Sequence, residues 1–142
     1  MDGNAGRIMS AIIRASTTEQ PFDFASCYHV FQQQETDATG TVVIHHGKVK
    51  YPGKQVAEFR QVVLSPMIAD PDAALAEVGR QAAIEYDLFQ VFIAHRLGAI
   101  GRGDDVLLVM ASAATRKQAF AGCAWIVDEI KRENIIQLKE RI

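Results

Sequence analysis

Hydrophobic and polar positions alternate along this chain with two periods, and the changeovers between them mark out its elements. Residues 1–10 are small or polar and read as a flexible N-terminus, after which the apolar residues of 11–14 open a first strand. Asp23 stands where a helix N-cap belongs, and Phe24, Cys27, Tyr28 and Phe31 follow at helical spacing, which predicts a short helix with that stripe in the core. Residues 32–40 carry too few apolar side chains for a buried element. They lead into TVVIHHGKVK, a strand-like run over 41–50. Tyr51-Pro52-Gly53-Lys54 is a turn signal and predicts a hairpin, its return strand over 56–64 with neither face cleanly apolar.

Asp70-Pro71 opens the next helix, since Asp can cap and Pro needs no helical N–H at the first position. That helix runs to Glu85 with Leu75, Val78, Ala82 and Ala83 on its buried side, and a strand follows over 89–95. Gly98, Gly101 and Gly103 punctuate a loop, and 105–112 is a further strand built on VLLVM. Thr115 and Gln118 fit a capping box that starts a long C-terminal helix. Phe120, Ala124, Val127 and Lys131 fall on one line of its wheel, so Lys131 emerges where the apolar face meets solvent. The alternation of elements argues for an α+β fold.

With 142 residues and 49% hydrophobic positions, residues 11–142 can fill one core as a single domain. Fifteen Lys and Arg against seventeen Asp and Glu give a net charge of −2, which offers no case for a nucleic-acid binder. No apolar run approaches a membrane span or a secretion signal, so the expected setting is cytoplasmic and soluble. Cys27 and Cys123 lie far apart among apolar helical positions, which reads as burial in a reduced protein. Four histidines form no zinc-binding pattern, and no metal is expected.

The candidate chemistry is cationic. Lys131 reads either as a lysine snorkelling from a helix end or as a group set in a pocket for proton transfer or covalent chemistry. Arg116, Lys131, Arg132, Lys139 and Arg141 crowd the C-terminal part, and Lys48 and Lys50 can approach from the earlier strand. Such a set suits a small anion, while Asp128, Glu129, Glu133 and Glu140 equally allow ordinary surface pairing. His45 and His46 point to opposite faces of their strand, so the pair is not automatically a bidentate metal site. His95-Arg96 precedes a Gly-rich turn, but RLGAIGRG has neither the Walker A lysine nor the GxGxxG spacing. Trp125, on the side of the last helix away from Val127, is a candidate partner contact.

GTVVIHHGKVK, IAHRLGAIGRGDDVLLVMASAATRKQAF and DEIKRENIIQLKE together resemble the large, catalytic subunit of molybdopterin synthase over roughly residues 10–142. The resemblance implies an α/β hammerhead-like fold with an antiparallel sheet and a long C-terminal helix. It implies a homodimer within a heterotetramer, each copy receiving the C-terminal Gly-Gly tail of a small β-grasp sulfur-carrier subunit. The thiocarboxylate on that tail would give its sulfur to cyclic pyranopterin monophosphate, the substrate, forming the molybdopterin dithiolene with no tightly bound cofactor. Lys131 matches the family's principal active-site lysine, and Arg116 an arginine suited to the substrate's phosphate. Lys48, Lys50 and Arg141 are further substrate-binding candidates, with His95, Arg96 and Thr115 in support.

The chain also departs from the family's pattern. Lys50 replaces an arginine, Thr115 stands where a histidine usually precedes Arg116, and Val63 falls near another common histidine. Leu138 occupies the place of the second lysine. Lys139 lies one residue further, a turn of about 100° if the helix continues, and would need a register adjustment to serve as a catalytic group. Two functions follow: a divergent synthase using Lys131, Arg116 and Lys139, or a noncatalytic or repurposed dimeric scaffold that binds a β-grasp sulfur carrier. Convergence of Arg116 and Lys139 beside Lys131 separates the two.

Overall fold

The structure is a computed structural model that describes residues 11–142, so the reading of 1–10 lies outside the described residues. Seven strands and three helices are described. They are β1 (Ile12–Thr18), α1 (Phe24–Gln33), β2 (Thr41–Lys48), β3 (Gln61–Pro66), α2 (Pro71–Tyr86), β4 (Leu88–Arg96), β5 (Gly98–Ile100), β6 (Asp105–Ala113), α3 (Arg116–Ile130) and β7 (Ile136–Arg141). The α+β expectation holds, with one refinement. There are two sheets, and the larger, ordered β1-β4-β6-β2, contains a parallel β1–β4 pair beside two antiparallel ones. The smaller sheet is β5-β3-β7, antiparallel throughout.

Strand alternation sorts the larger sheet into two faces. Val91, Ile93, Leu107, Val109 and Ala111 meet α2 and α3, while Leu108 and Met110 are fully buried on the other face. On that second face the Gln90 side chain donates to the Phe31 carbonyl (2.9 Å), tying α1 to β4. Only Phe31 of the expected α1 stripe is buried. Phe24 stacks on Tyr28 near the surface and is 43% exposed. The Asp23 cap is present, its carboxylate accepting from Ser26 N–H (3.1 Å). So are the Asp70 cap of α2 and the Thr115–Gln118 capping box of α3.

Three expectations are corrected. The 51–54 turn does not close a hairpin, because β2 pairs with β6 whereas β3, which begins at Gln61, pairs with β5 and β7. Helix α3 packs through Ala119, Gly122, Cys123, Ile126, Val127 and Ile130, leaving Phe120 61% exposed. Small residues decide this. The helix lies so close to the sheet that a Cβ on Gly122 would sit 2.9 Å from both Leu88 methyls, and the bulky Phe120 is turned outward. The chain does not end in a helix, either. Glu133 adopts a left-handed backbone (φ 61°), which stops helical propagation after Lys131 and feeds the β-branched pair Ile135-Ile136 into β7.

Candidate active site

A pocket of about 390 Å³ lies where the C-terminal end of α3 meets both sheets. Val62 and Leu64 of β3 and Ile136 and Leu138 of β7 form its apolar wall, with Leu107 of β6 opposite. Its polar lining is mostly basic: Lys131 at the C-cap of α3, His45 and Lys48 of β2, Lys50 and Lys54 of the following loop, and His95 of β4. Glu133 and Glu140 supply the acids. A register irregularity between Gly47 and Lys48 breaks the regular alternation of β2 at the pocket edge.

The loop after β2 is held as a side wall by one carboxylate. Glu140 accepts backbone N–H bonds from Lys54 (3.0 Å), Gln55 (2.6 Å) and Val56 (2.7 Å), and its own N–H donates to the Gln55 side chain (2.9 Å). The Val56 bond, opposed by desolvation and joined by those from Lys54 and Gln55, holds the Glu140 carboxyl below its usual range.

The two histidines in the pocket are pushed the same way. Burial, then the positive charge of Lys131, then His46, lower the pKa of His45. Burial lowers that of His95 more than its hydrogen bond to the Arg96 carbonyl (2.8 Å) raises it. A carbonyl only accepts, so the proton of neutral His95 sits on Nδ1. His46 faces the other way and meets Asp105 at 2.6 Å, outside the pocket. Among the described residues no group of three or more His, Cys, Asp or Glu is placed to hold a metal ion.

Lys131, Lys48, Lys50 and His95 therefore come together, and the other sequence candidates do not. Lys131 is exposed at the rim, so the desolvated setting imagined from its wheel position is absent. Lys139 pairs with Val63 and faces away from the pocket, whereas Leu138, paired with Leu64, faces into it. In a strand a one-residue step reverses the side chain, so the observed register of β7 keeps Lys139 off the pocket face. Lys139 and Arg141 instead line a neighbouring, more open cleft of about 400 Å³.

Arg116 and Thr115 sit at the opposite end of α3, about 22 Å from Lys131 at 1.5 Å per residue. Thr115 acts there as the helix cap. Arg96 lies on the other face of β4 from His95, buried, with Nη2 reaching the Glu19 carbonyl at 3.5 Å. Arg132 pairs on the surface with Glu129 (3.1 Å). Sequence reasoning set His45 aside together with His46 and read Lys54 only as part of a turn; the signal for His45 was the inward parity it shares with Val43 on β2.

Neither cysteine is set up as a nucleophile. Burial pushes Cys123 up to about 11, and burial followed by the Asp23 charge raises Cys27. Trp125 is half-buried, its ring 6.5 Å from that of Tyr86, which gives it an intramolecular neighbour.

Fold and pocket define a class: an α+β protein with a lysine-rich cavity set between two sheets at the end of a helix. Residues 17–133 match the family described as MoaE protein. The molybdopterin synthase catalytic subunit of Haemophilus influenzae is 31% identical over 131 residues, 91% of this chain and 84% of that protein. The chain belongs to the molybdopterin synthase catalytic subunit family. Among solved structures, molybdopterin synthase from Staphylococcus aureus superposes with a TM-score of 0.76 at 23% identity, covering 89% of each chain. A chain from the complex of subunits 1 and 2 of the molybdopterin-converting factor of Helicobacter pylori gives 0.60 at 13% identity, covering 92% of this chain and 84% of that one. Both likenesses show the fold.

Proposed function

We propose that the chain is a divergent large subunit of molybdopterin synthase. In this reading it transfers sulfur from the C-terminal thiocarboxylate of a small β-grasp carrier to cyclic pyranopterin monophosphate, and two transfers complete the dithiolene. The observation that carries the reading is the lysine-rich pocket at the end of α3, with Lys131 on its rim. An anionic tail entering between the two sheets meets an ammonium group beside its reacting carbon, which can offset the charge that develops there. Lys48, Lys50 and Lys54 add positive charge around the same space, and the apolar wall of Leu64 and Leu138 limits water.

The Helicobacter pylori complex of two subunits supports a small-subunit partner for this chain. The Gly-Gly tail, the homodimer, the heterotetramer and a cytoplasmic setting belong to the same proposal. Among the described residues no helix is long and apolar enough to cross a membrane.

One observation favours the second reading, a noncatalytic or repurposed scaffold for a sulfur carrier. Arg116 and Lys139 do not converge beside Lys131 within the chain. The synthase reading therefore requires either that the pocket lysines act without them, or that a second copy brings its Arg116. The test is molybdopterin formation from the purified chain, a thiocarboxylated β-grasp carrier and cyclic pyranopterin monophosphate, with Lys131→Ala alongside. Product that disappears with Lys131 supports the synthase. Carrier binding with no product supports the scaffold.

A further inference from the structure

We propose that His45 is a ligand-contacting residue of this pocket, its imidazole hydrogen-bonding, together with Lys131, the anionic end of the bound molecule. The inference rests on the reading of the pocket as an anion site and names a group within it that neither the family match nor the relatives assign.

Three observations carry it. The parity of β2 turns His45 toward the end of α3, so that His45 and Lys131 line the same cavity, while His46 is occupied by Asp105 on the other face. The Nε2 atom of His45 is buried and finds no hydrogen-bond partner among the described residues. Room for the ring depends on the residue two positions on, since a Cβ on Gly47 would lie 3.0 Å from that nitrogen. A buried ring nitrogen without a partner is costly, and an oxygen arriving in the cavity relieves that cost.

The charges around the ring define what arrives. On its own strand stands Lys48, on the loop Lys50 and Lys54, and on the end of α3 Lys131. Glu133 follows that helix, and the Glu140 carboxylate of β7 is engaged by three loop amides. His95 of β4, itself held toward the neutral form by burial, adds no fixed charge. The surroundings are therefore net cationic; burial first, then the charges of Lys131 and His46, hold the imidazole toward its neutral form. An anion between His45 and Lys131 reverses that balance. It favours imidazolium, so binding takes up a proton, and affinity rises as pH falls through the window between the free and bound pKa values of His45.

A carboxylate-like tail and a phosphate share this chemistry, and the experiment separates them. The full chain, with labelled histidine, is titrated with a peptide ending in a Gly-Gly carboxylate, with the same peptide as its amide, and with inorganic phosphate. His45 ring resonances and calorimetric affinities are followed from pH 5.5 to 7.5. The His45 pKa is expected to rise in the carboxylate or the phosphate arm, which identifies the source, and to stay put with the amide. His45→Phe should weaken that arm about tenfold or more, the loss expected for a hydrogen bond to a charged group, and in the carboxylate arm, where the ligand does not itself titrate between pH 5.5 and 7.5, it should abolish the pH dependence. His45→Gln, which keeps a donor, should recover affinity without the pH dependence. An anion that binds in a Lys131-dependent way while His45 resonances stay fixed and His45→Phe binds like wild type overturns the role of His45 and leaves the pocket reading standing. Binding in neither anion arm overturns both.

Discussion

Leu138 and Lys139 differ by one position in the chain and by a full reversal of direction in the structure. On a helix the offset would be a partial turn that some local adjustment could absorb. On β7 it turns Leu138 into the pocket and leaves Lys139 out of it, lining only the adjoining cleft. On the proposed synthase reading, Lys139→Ala is expected to leave molybdopterin formation within about twofold of wild type and Lys131→Ala to lower it by about 100-fold or more, the scale of a lost acid, base or charge-stabilising group. Initial rates at saturating carrier measure both, and equal losses would show that the cleft takes part in the chemistry. Lys131 was legible in the sequence because the end of a capped amphipathic helix is a defined place. His45 was not, because in a pair of histidines on a strand only the core-facing side of the sheet decides which one turns inward.

At the scale of elements, caps and close approaches divide the stability of α3. Thr115→Ala removes a side chain that accepts from Gln118 N–H at an exposed helix start, and it should cost about 1 kcal/mol. Gly122→Ala forces a methyl group against Leu88, buried at the start of β4, and should cost about 1–3 kcal/mol through overpacking. Denaturant melts of the two variants test the ranking, and a Gly122→Ala protein as stable as wild type would mean that α3 can lift from the sheet. Glu140→Ala bears on a different element, the loop that walls the pocket. Amide exchange at Lys54, Gln55 and Val56 should accelerate while exchange in β6 stays unchanged, since the carboxylate accepts from those three loop amides. Caps and helix spans were readable because their signals are local. Strand partners were not: β2 and β3 look like a hairpin in sequence, yet they belong to different sheets.

At the scale of the whole molecule, stability carries the sign of the buried histidines. Desolvation places the folded pKa values of His45 and His95 below 6.5, so between those values and 6.5 the unfolded chain binds more protons than the folded one. Unfolding free energy therefore rises with pH through that window and levels off above it. The thermal midpoint should fall on going from pH 7 to pH 5, and His45→Gln should flatten part of the fall. A midpoint that stays level or rises would show that the rings are protonated in the folded state. Asp23 and Glu140, held below their ordinary values by hydrogen bonds, and Asp105, where desolvation is outweighed by the bonds from His46 and the Phe22 N–H and by the charges of His46 and Arg96, act with the same sign only under more acid conditions.

The sequence by itself determined the α+β class, the caps and approximate spans of the helices, the family, and the lysine at the end of α3. These rest on residue spacing, local hydrogen bonding and shared motifs, all of which are carried along the chain. Tertiary structure decided which strands pair, where the last helix stops, and which of the many cations share a pocket. Arg116, Lys131 and Lys139 lie within 24 positions of one another, yet a rigid helix and a strand reversal send them to three separate places. Lys48 and His45, far away in sequence, meet Lys131 because the edge strand of the larger sheet passes the end of that helix.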